Sequence, residues 1–183
     1  MPVTVWLAPG QSDGADEASS ADERAADERA ADERGPAGEK EGPDGRHSAD
    51  RAPAVGLTVS SALLSPGEPA MLAGLLSTAS DLVDALAASP SRRFVVHLLG
   101  GAHRRLAQHF ASELPAPPEL LVTRPSSYGP VLEAVPDRLY CRMTGRKPFG
   151  WSLLVEAEVE QTQVGEAGKG LAWYHGAYHV LEG

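Results

Sequence analysis

Residues 11–54 constrain the fold most, because this segment contains no Leu, Ile, Val, Phe, Tyr or Trp. Its centre, residues 21–34, is a tandem repeat that reads ADERA, ADERA and ADER. A segment without large apolar side chains cannot bury enough surface to offset the conformational entropy lost on ordering. We therefore predict a disordered acidic insert over residues 11–54, with the folded core drawn from residues 1–10 and 55–183.

The charge of the chain is concentrated in the same segment. Residues 11–54 hold 13 acidic and six basic residues, which account for −7 of the net charge of −9. The remainder is close to neutral and has no basic stripe, which argues against a nucleic-acid partner. Cys141 is the single cysteine, so no intrachain disulfide forms, and no run approaches the roughly 20 apolar residues of a membrane helix. We expect a cytoplasmic protein without a membrane partner.

Short strands dominate the rest of the sequence. The clearest period-2 pattern is at residues 151–159, where apolar residues alternate with Ser and Glu. Further strands are predicted at residues 3–7, 55–64, 68–76, 94–99 and 139–143 and near the C-terminus, with helices after residue 78 and at about 102–114. This order indicates a mainly β fold, an antiparallel barrel with two short helices. From the pattern alone, residues 3–7 are either a barrel strand or a free tail.

Several kinds of site are disfavoured by spacing. His175 and His179 are four residues apart, which is roughly 13 Å in an extended chain and too far to share a metal ion unless Gly176 folds them together. We predict no metal site. The segment Gly150-Trp151-Ser152 lacks the second glycine of a nucleophile elbow, and no glycine-rich phosphate loop occurs.

Two groups of small hydroxyl residues remain. Thr58, Ser60 and Ser61 fall on one predicted strand, and about 20 residues later Ser77, Thr78 and Ser80 open a helix. Hydroxyls and free N–H groups at a helix N-terminus suit a phosphate group. The alternative is that Thr78 or Ser80 merely caps the helix, and Asp81 places a negative charge in its first turn.

These residues, read in order, resemble the flavin reductase-like family. Residues 56–61, GLTVSS, are similar to its G-x-T-x-S-S strand, and residues 77–86 to its hydroxyl-rich lead into a helix. Residues 94–99 resemble an F-x-V-N-x-L strand, with His97 in place of Asn, and residues 103–111 an LA-x-x-F-A helix. Residues 129–142 and 173–179 resemble its P-x-L…C stretch and closing Y-x-x-G-x-Y hairpin.

The resemblance implies a Greek-key split β-barrel that is a homodimer and binds FMN, or FAD, near the subunit interface. Residues 3–7 would then be its first strand. The phosphate would contact Ser77, Thr78 and Ser80, and the isoalloxazine ring would border four further residues, Thr58, Val59, Ser60 and Ser61. The implied activity is NAD(P)H:flavin oxidoreductase, which supplies reduced flavin to a partner monooxygenase.

One motif departs from the family pattern. Many members have a G-D-H triplet where this chain reads Gly150-Trp151-Ser152. Trp151 then either stacks on a ring or plugs the barrel, and His179 is the candidate catalytic residue near the flavin. The alternative functions are a non-catalytic flavin-binding module and a related split-barrel oxidoreductase with another cofactor or substrate.

Overall fold

The computed structural model describes residues 1–10, 54–166 and 168–181. Within them the strands are β1 (Thr4–Ala8), β2 (Val55–Val59), β3 (Leu63–Ser65), β4 (Met71–Ser77), β5 (Arg93–Leu98), β6 (Thr123–Ser126), β7 (Gly129–Leu132), β8 (Arg138–Phe149), β9 (Ser152–Gln163), β10 (Leu171–Tyr174) and β11 (Ala177–Val180). The helices are α1 (Asp81–Ala88) and α2 (Arg104–Phe110).

Seven strands form one antiparallel sheet in the order β2-β1-β5-β8-β9-β4-β3. The pairs β6–β7 and β10–β11 are separate two-stranded hairpins. The predicted fold class, mainly β with antiparallel pairing and two helices, is confirmed, and the sheet curls as a split barrel does.

The two ends of the curled sheet meet where β2 leaves the barrel. The Ser61 hydroxyl donates to the Leu75 carbonyl at 3.1 Å and accepts from the Leu75 N–H at 2.9 Å. Inside the barrel, Trp6 is fully buried and packs against Phe94 with ring centroids 5.2 Å apart. A Cβ at Gly74 would lie 2.6 Å from the Trp6 indole, so only glycine lets β4 approach this ring.

A second core lies on the outer side of β1, under α2. It contains Val3, Val5 and Leu7 from β1 and its approach, together with Leu106 of α2. The β10–β11 hairpin extends this core, because Val3 N–H donates to Leu171 O and Trp173 N–H donates to Met1 O, both at 3.0 Å. Strand β1 is therefore covered on both faces, which explains why its five residues are all buried.

The segment predicted at residues 3–7 is thus a central strand. Its last residue, Ala8, pairs with Val55 at the start of β2, so residues 9–54 connect two neighbouring strand ends. The predicted disordered insert at residues 11–54 lies, apart from Ala54, outside the described residues and stays a prediction. Among the described residues, no helix is both long and apolar enough to cross a bilayer.

Local details differ from the sequence prediction. The helix predicted at about residues 102–114 is a 3-10 turn, Gly101–His103, followed by α2, which ends at Phe110 because Ser112 adopts a φ of +59°. The strand predicted at residues 55–64 divides into β2 and the short edge strand β3. A barrel plug at Trp151 is wrong, since this side chain is 98% exposed.

Candidate functional site

The two predicted sets of Ser and Thr residues are adjacent in the folded chain. Ser61, at the end of the first group, contacts Leu75, which lies two residues before Ser77 in β4. The segment after Ser77 then turns directly into α1, with the Ser80 N–H donating to the Ser77 carbonyl at 3.2 Å. The seam between β2 and β4 therefore brings both groups to one edge of the barrel.

Four of the seven predicted cofactor residues have structural roles for their side chains. The Thr58 hydroxyl donates to the Ala107 carbonyl of α2 at 2.7 Å, and Val59 is buried in the barrel core. The Ser61 hydroxyl is used twice at the seam. Ser80 is the N-cap of α1, where its hydroxyl accepts from the Leu82 N–H at 3.2 Å. The capping interpretation is therefore confirmed for Ser80.

The other three residues keep hydroxyl groups that a ligand can use. Within the part of the chain that the structure describes, the Ser60 and Thr78 hydroxyls have no hydrogen-bond partner. Ser77 is exposed, and its hydroxyl accepts from the Ala79 N–H at 3.3 Å, which leaves its proton free to donate. Ser60, Ser77 and Thr78 thus form the polar part of the candidate site.

The β8–β9 hairpin tip borders the same hydroxyls. In the sheet register Ser77 pairs with Ser152, and Ser152 pairs with Phe149. Directly paired residues share a face of the sheet, so these three side chains lie in one row on the outer face. The tip is the two-residue turn Gly150–Trp151, with a φ of +59° at Gly150. Sequence spacing did not indicate this neighbour, because it depends on strand register.

His179 lies in a different part of the structure. It is exposed on β11, opposite Ala172 of β10, and its Nε2 is 3.2 Å from the Tyr174 carbonyl oxygen. This hairpin is joined to residues 1–3, whereas Ser60, Ser77 and Thr78 border β2 and β4. A catalytic role for His179 stays a prediction.

Two buried titratable groups are not available for chemistry. Burial raises the pKa of the Cys141 thiol to about 12, with a further contribution from the Glu160 carboxylate, so the thiol stays protonated. His97 is fully buried and its pKa is lowered to about 4, chiefly by loss of solvation. Its Nε2 accepts from the Leu132 N–H at 3.0 Å and its Nδ1 faces the Val5 carbonyl at 3.3 Å, which fixes the neutral tautomer.

A cavity of about 790 Å³ lies beside the β10–β11 hairpin, away from the hydroxyl groups. Its walls are mainly apolar, from Val3, Leu98, Leu171 and Leu181, with His103 at one side. The His103 imidazole is held between the Gly100 N–H and the Ala134 carbonyl. None of the seven predicted cofactor residues lines this cavity.

Comparison with known proteins defines the class. The profile of the flavin reductase-like domain matches residues 44–182, which is most of the chain. The protein therefore belongs to the flavin reductase-like family, as the sequence motifs indicated. The match begins after β1, although β1 pairs with both β2 and β5. Among curated protein sequences, none matches the chain.

Solved structures of flavin reductases share the fold. The flavin reductase PheA2 is 16% identical, with a TM-score of 0.67, over 100% of this chain and 90% of its own. The flavin reductase of styrene monooxygenase from Pseudomonas putida S12 is 16% identical, with a TM-score of 0.67, over 99% and 90%. The NADH:FAD oxidoreductase SgcE6 from Streptomyces globisporus, solved with NAD and FAD fragments, is 15% identical, with a TM-score of 0.66, over 97% and 83%.

Proposed function

We propose that this protein binds a flavin at the β2–β4 seam and reduces it with NAD(P)H. The observation that carries the proposal is the hydrogen-bonded contact of Ser61 with Leu75, within a chain of the flavin reductase-like family. This contact joins the segment that bears Ser60 to the strand that leads through Ser77 and Thr78 into α1. The flavin supplies the hydride-accepting chemistry, and the chain supplies binding and orientation. Either FMN or FAD provides the phosphate that such a site requires.

The residues present fit this group. The exposed hydroxyls of Ser77 and Thr78 are donors suited to phosphate oxygens, and Ser60 offers a further hydroxyl. Asp81 and Asp84 in the first turn of α1 oppose an anion there. Arg146, exposed on the strand that ends at the neighbouring hairpin tip, offers a compensating cation, whereas Lys147 is paired with Glu156 at 3.3 Å.

The proposed roles of the chain are positional. Thr58 anchors β2 to α2 and Ser61 locks the seam, so the backbone of residues 58–61 is held rigid beside the ring. A rigid edge of this kind lets backbone N–H groups face ring atoms without reorganisation. Ser80 fixes the start of α1 and thereby the direction of the Ser77–Thr78 segment. His179 is retained as the proposed proton-handling residue.

We also propose a homodimer and a monooxygenase partner. Leu63 and Leu64 of the edge strand β3 are 69% and 57% exposed, beside a groove of about 400 Å³ lined by Met71 and Ala73. An exposed apolar edge strand favours pairing with another chain. The structural neighbours include flavin reductase components of a styrene monooxygenase and of a tryptophan halogenase, which supports an oxygenase partner here. We propose that the protein acts in the cytoplasm.

A second candidate is a flavin-binding module without turnover. It is favoured by the position of His179 on a hairpin joined to residues 1–3 and by Trp151, which bears no proton-transfer group, at the tip beside Ser77. The two candidates differ in whether nicotinamide is oxidised after flavin has bound.

The test combines binding with turnover. Purified protein is titrated with FMN and with FAD, and NADH and NADPH oxidation is then followed in the presence of each flavin. We expect saturable flavin binding and flavin-dependent oxidation of one nicotinamide nucleotide. Binding without oxidation would support the second candidate, and absence of flavin binding would contradict both. Thr78→Ala should weaken flavin binding about tenfold, whereas Thr144→Ala, a matched exposed threonine in β8, should not.

A further inference from the structure

Trp151 is the most exposed large apolar residue described, at 98% of its surface, and nothing in the fold requires it to be there. The other two tryptophans differ: Trp6 is fully buried and Trp173 packs partly buried against Tyr178. Leaving an indole in water forgoes the favourable burial of a large aromatic surface. Such a residue on a defined turn points to a ligand or partner that covers it.

The turn presents the indole in a defined direction. Phe149 and Ser152 are paired in the register, so Gly150 and Trp151 are the two central residues of a tight hairpin. Gly150, at the first central position, has a positive φ, and Trp151, at the second, does not. This combination is typical of a type II′ turn. Long paired strands on both sides, β8 and β9, hold this turn in place. Little conformational entropy is lost when a flat ring stacks on a side chain held in this way.

The surroundings favour a nucleotide over an apolar protein patch. Ser152 follows Trp151 directly and pairs with Ser77, so the indole is attached next to the hydroxyls proposed to bind phosphate. Of the two cations on this hairpin, Arg146 is exposed and Lys147 is paired with Glu156 at 3.3 Å. Hydroxyls beside an aromatic ring suit the phosphate and the base of a nucleotide.

We propose that Trp151 is a stacking platform for the adenine ring of a dinucleotide. This inference rests on the proposed function and names its ligand more closely. In FAD the adenosine extends from the phosphate on the side opposite the isoalloxazine ring, so with the ring at residues 58–61 and the phosphate at Ser77, adenine reaches the tip. The adenine of NAD(P)H offers the same chemistry, and the experiment separates the two sources.

The first measurement compares dissociation constants for FAD and FMN, which differ by the adenosine monophosphate group. Wild type should bind FAD about tenfold more tightly than FMN, as expected for one stacked base. Trp151→Ala should abolish that preference and leave FMN affinity within about twofold, while Trp151→Phe, which keeps a flat ring, should retain most of it. Tyr174→Ala, at another exposed aromatic residue on β10, should change neither constant.

The second measurement uses ADP-ribose, which contains adenine but neither flavin nor nicotinamide. Its binding should quench the solvent-exposed tryptophan emission of wild type and leave the emission of Trp151→Phe unaffected, because Trp6 is buried and Trp173 packs partly buried against Tyr178 in a different hairpin. A preference for FAD that depends on Trp151 identifies flavin as the source. A Trp151-dependent KM for NADH, with equal FAD and FMN affinities, identifies the nicotinamide nucleotide.

Three results would each overturn the platform. The first is an equal fall of FAD and FMN affinity in Trp151→Ala, and the second is the absence of any effect on adenine-containing ligands together with no quenching by ADP-ribose. The third is a change of oligomeric state in Trp151→Ala, which would assign Trp151 to a protein contact. Failure of the proposed function is a separate outcome: wild type would bind neither flavin, while the ADP-ribose measurement would still decide the role of Trp151.

Discussion

At the residue scale, His97 shows how a buried polar group is tolerated. The imidazole bridges β5 to the Val5 carbonyl of β1 and the Leu132 N–H of β7, so both nitrogens are used only when the ring is neutral. Protonation would turn the acceptor Nε2 into a donor that faces another donor, inside the protein core. The ring is therefore a structural group, and its protonation opposes folding.

The stability of the protein should accordingly fall in acid. The pKa of His97 drops from 6.5 to about 4 on folding, so the folded state binds fewer protons between these values. The free energy of unfolding should decrease by up to about 3 kcal/mol as the pH falls from 6.5 to 4, and level off below. Urea denaturation across this pH range measures the effect. His97→Gln, which retains an acceptor but does not titrate, should lack most of this dependence, and an unchanged slope would contradict the assignment.

Thr58 and Ser60 are near neighbours in the sequence, but the Thr58 hydroxyl is bonded to α2 and the Ser60 hydroxyl is available to a ligand. Thr58→Val should lower the free energy of unfolding by about 1 kcal/mol, because the Ala107 carbonyl keeps the Ala111 N–H but loses the Thr58 hydroxyl as a donor. Its FMN affinity should fall less than that of Ser60→Ala. Ser60→Ala should weaken FMN binding and leave the free energy of unfolding unchanged. Denaturation and flavin titration of both variants test the division, which would be refuted if Thr58→Val weakened binding more than Ser60→Ala.

At the element scale, the strand pattern and the order of elements were predictable, and side-chain direction was not. Alternation at residues 151–159 and the N-cap signal at Ser80 act locally, so sequence reveals them. The turning of the Thr58 hydroxyl toward α2 depends on contacts 49 residues away. The exposure of Trp151 and its place beside Ser77 depend on the register of β4, β9 and β8. Short-range sequence patterns do not contain this register.

The approach of β4 to the barrel centre gives a prediction of its own. Gly74→Ala should destabilise the fold by about 1–3 kcal/mol, because the new methyl group meets the Trp6 indole at 2.6 Å. The indole has no room to yield, since it is fully buried and its Nε1 donates to the Thr4 hydroxyl at 2.9 Å. Thermal unfolding measures the loss. Gly168→Ala is the control, because Gly168 is exposed and its new methyl group would come no nearer than 3.9 Å to another residue, and equal effects of the two substitutions would contradict this account.

At the scale of the whole molecule, the acidic segment joins two paired strand ends. Ala8 and Val55 are partners, so deletion of residues 12–50 leaves a seven-residue connection in place of 46 residues. Loop-closure entropy predicts a gain in unfolding free energy of about 1–2 kcal/mol, with flavin affinity unchanged. Denaturation and titration of the deletion variant measure both quantities. Loss of folding or of flavin affinity would show that the segment contributes to the structure or the site.

The central claim is that the seam between β2 and β4 holds a flavin, and a titration of FMN tests it most directly. The wild-type protein should bind FMN saturably, and the double variant Ser60→Ala/Thr78→Ala should bind it at least about tenfold more weakly with an unchanged unfolding curve. Equal FMN affinity in the two proteins, or no saturable binding by the wild type, would contradict the account.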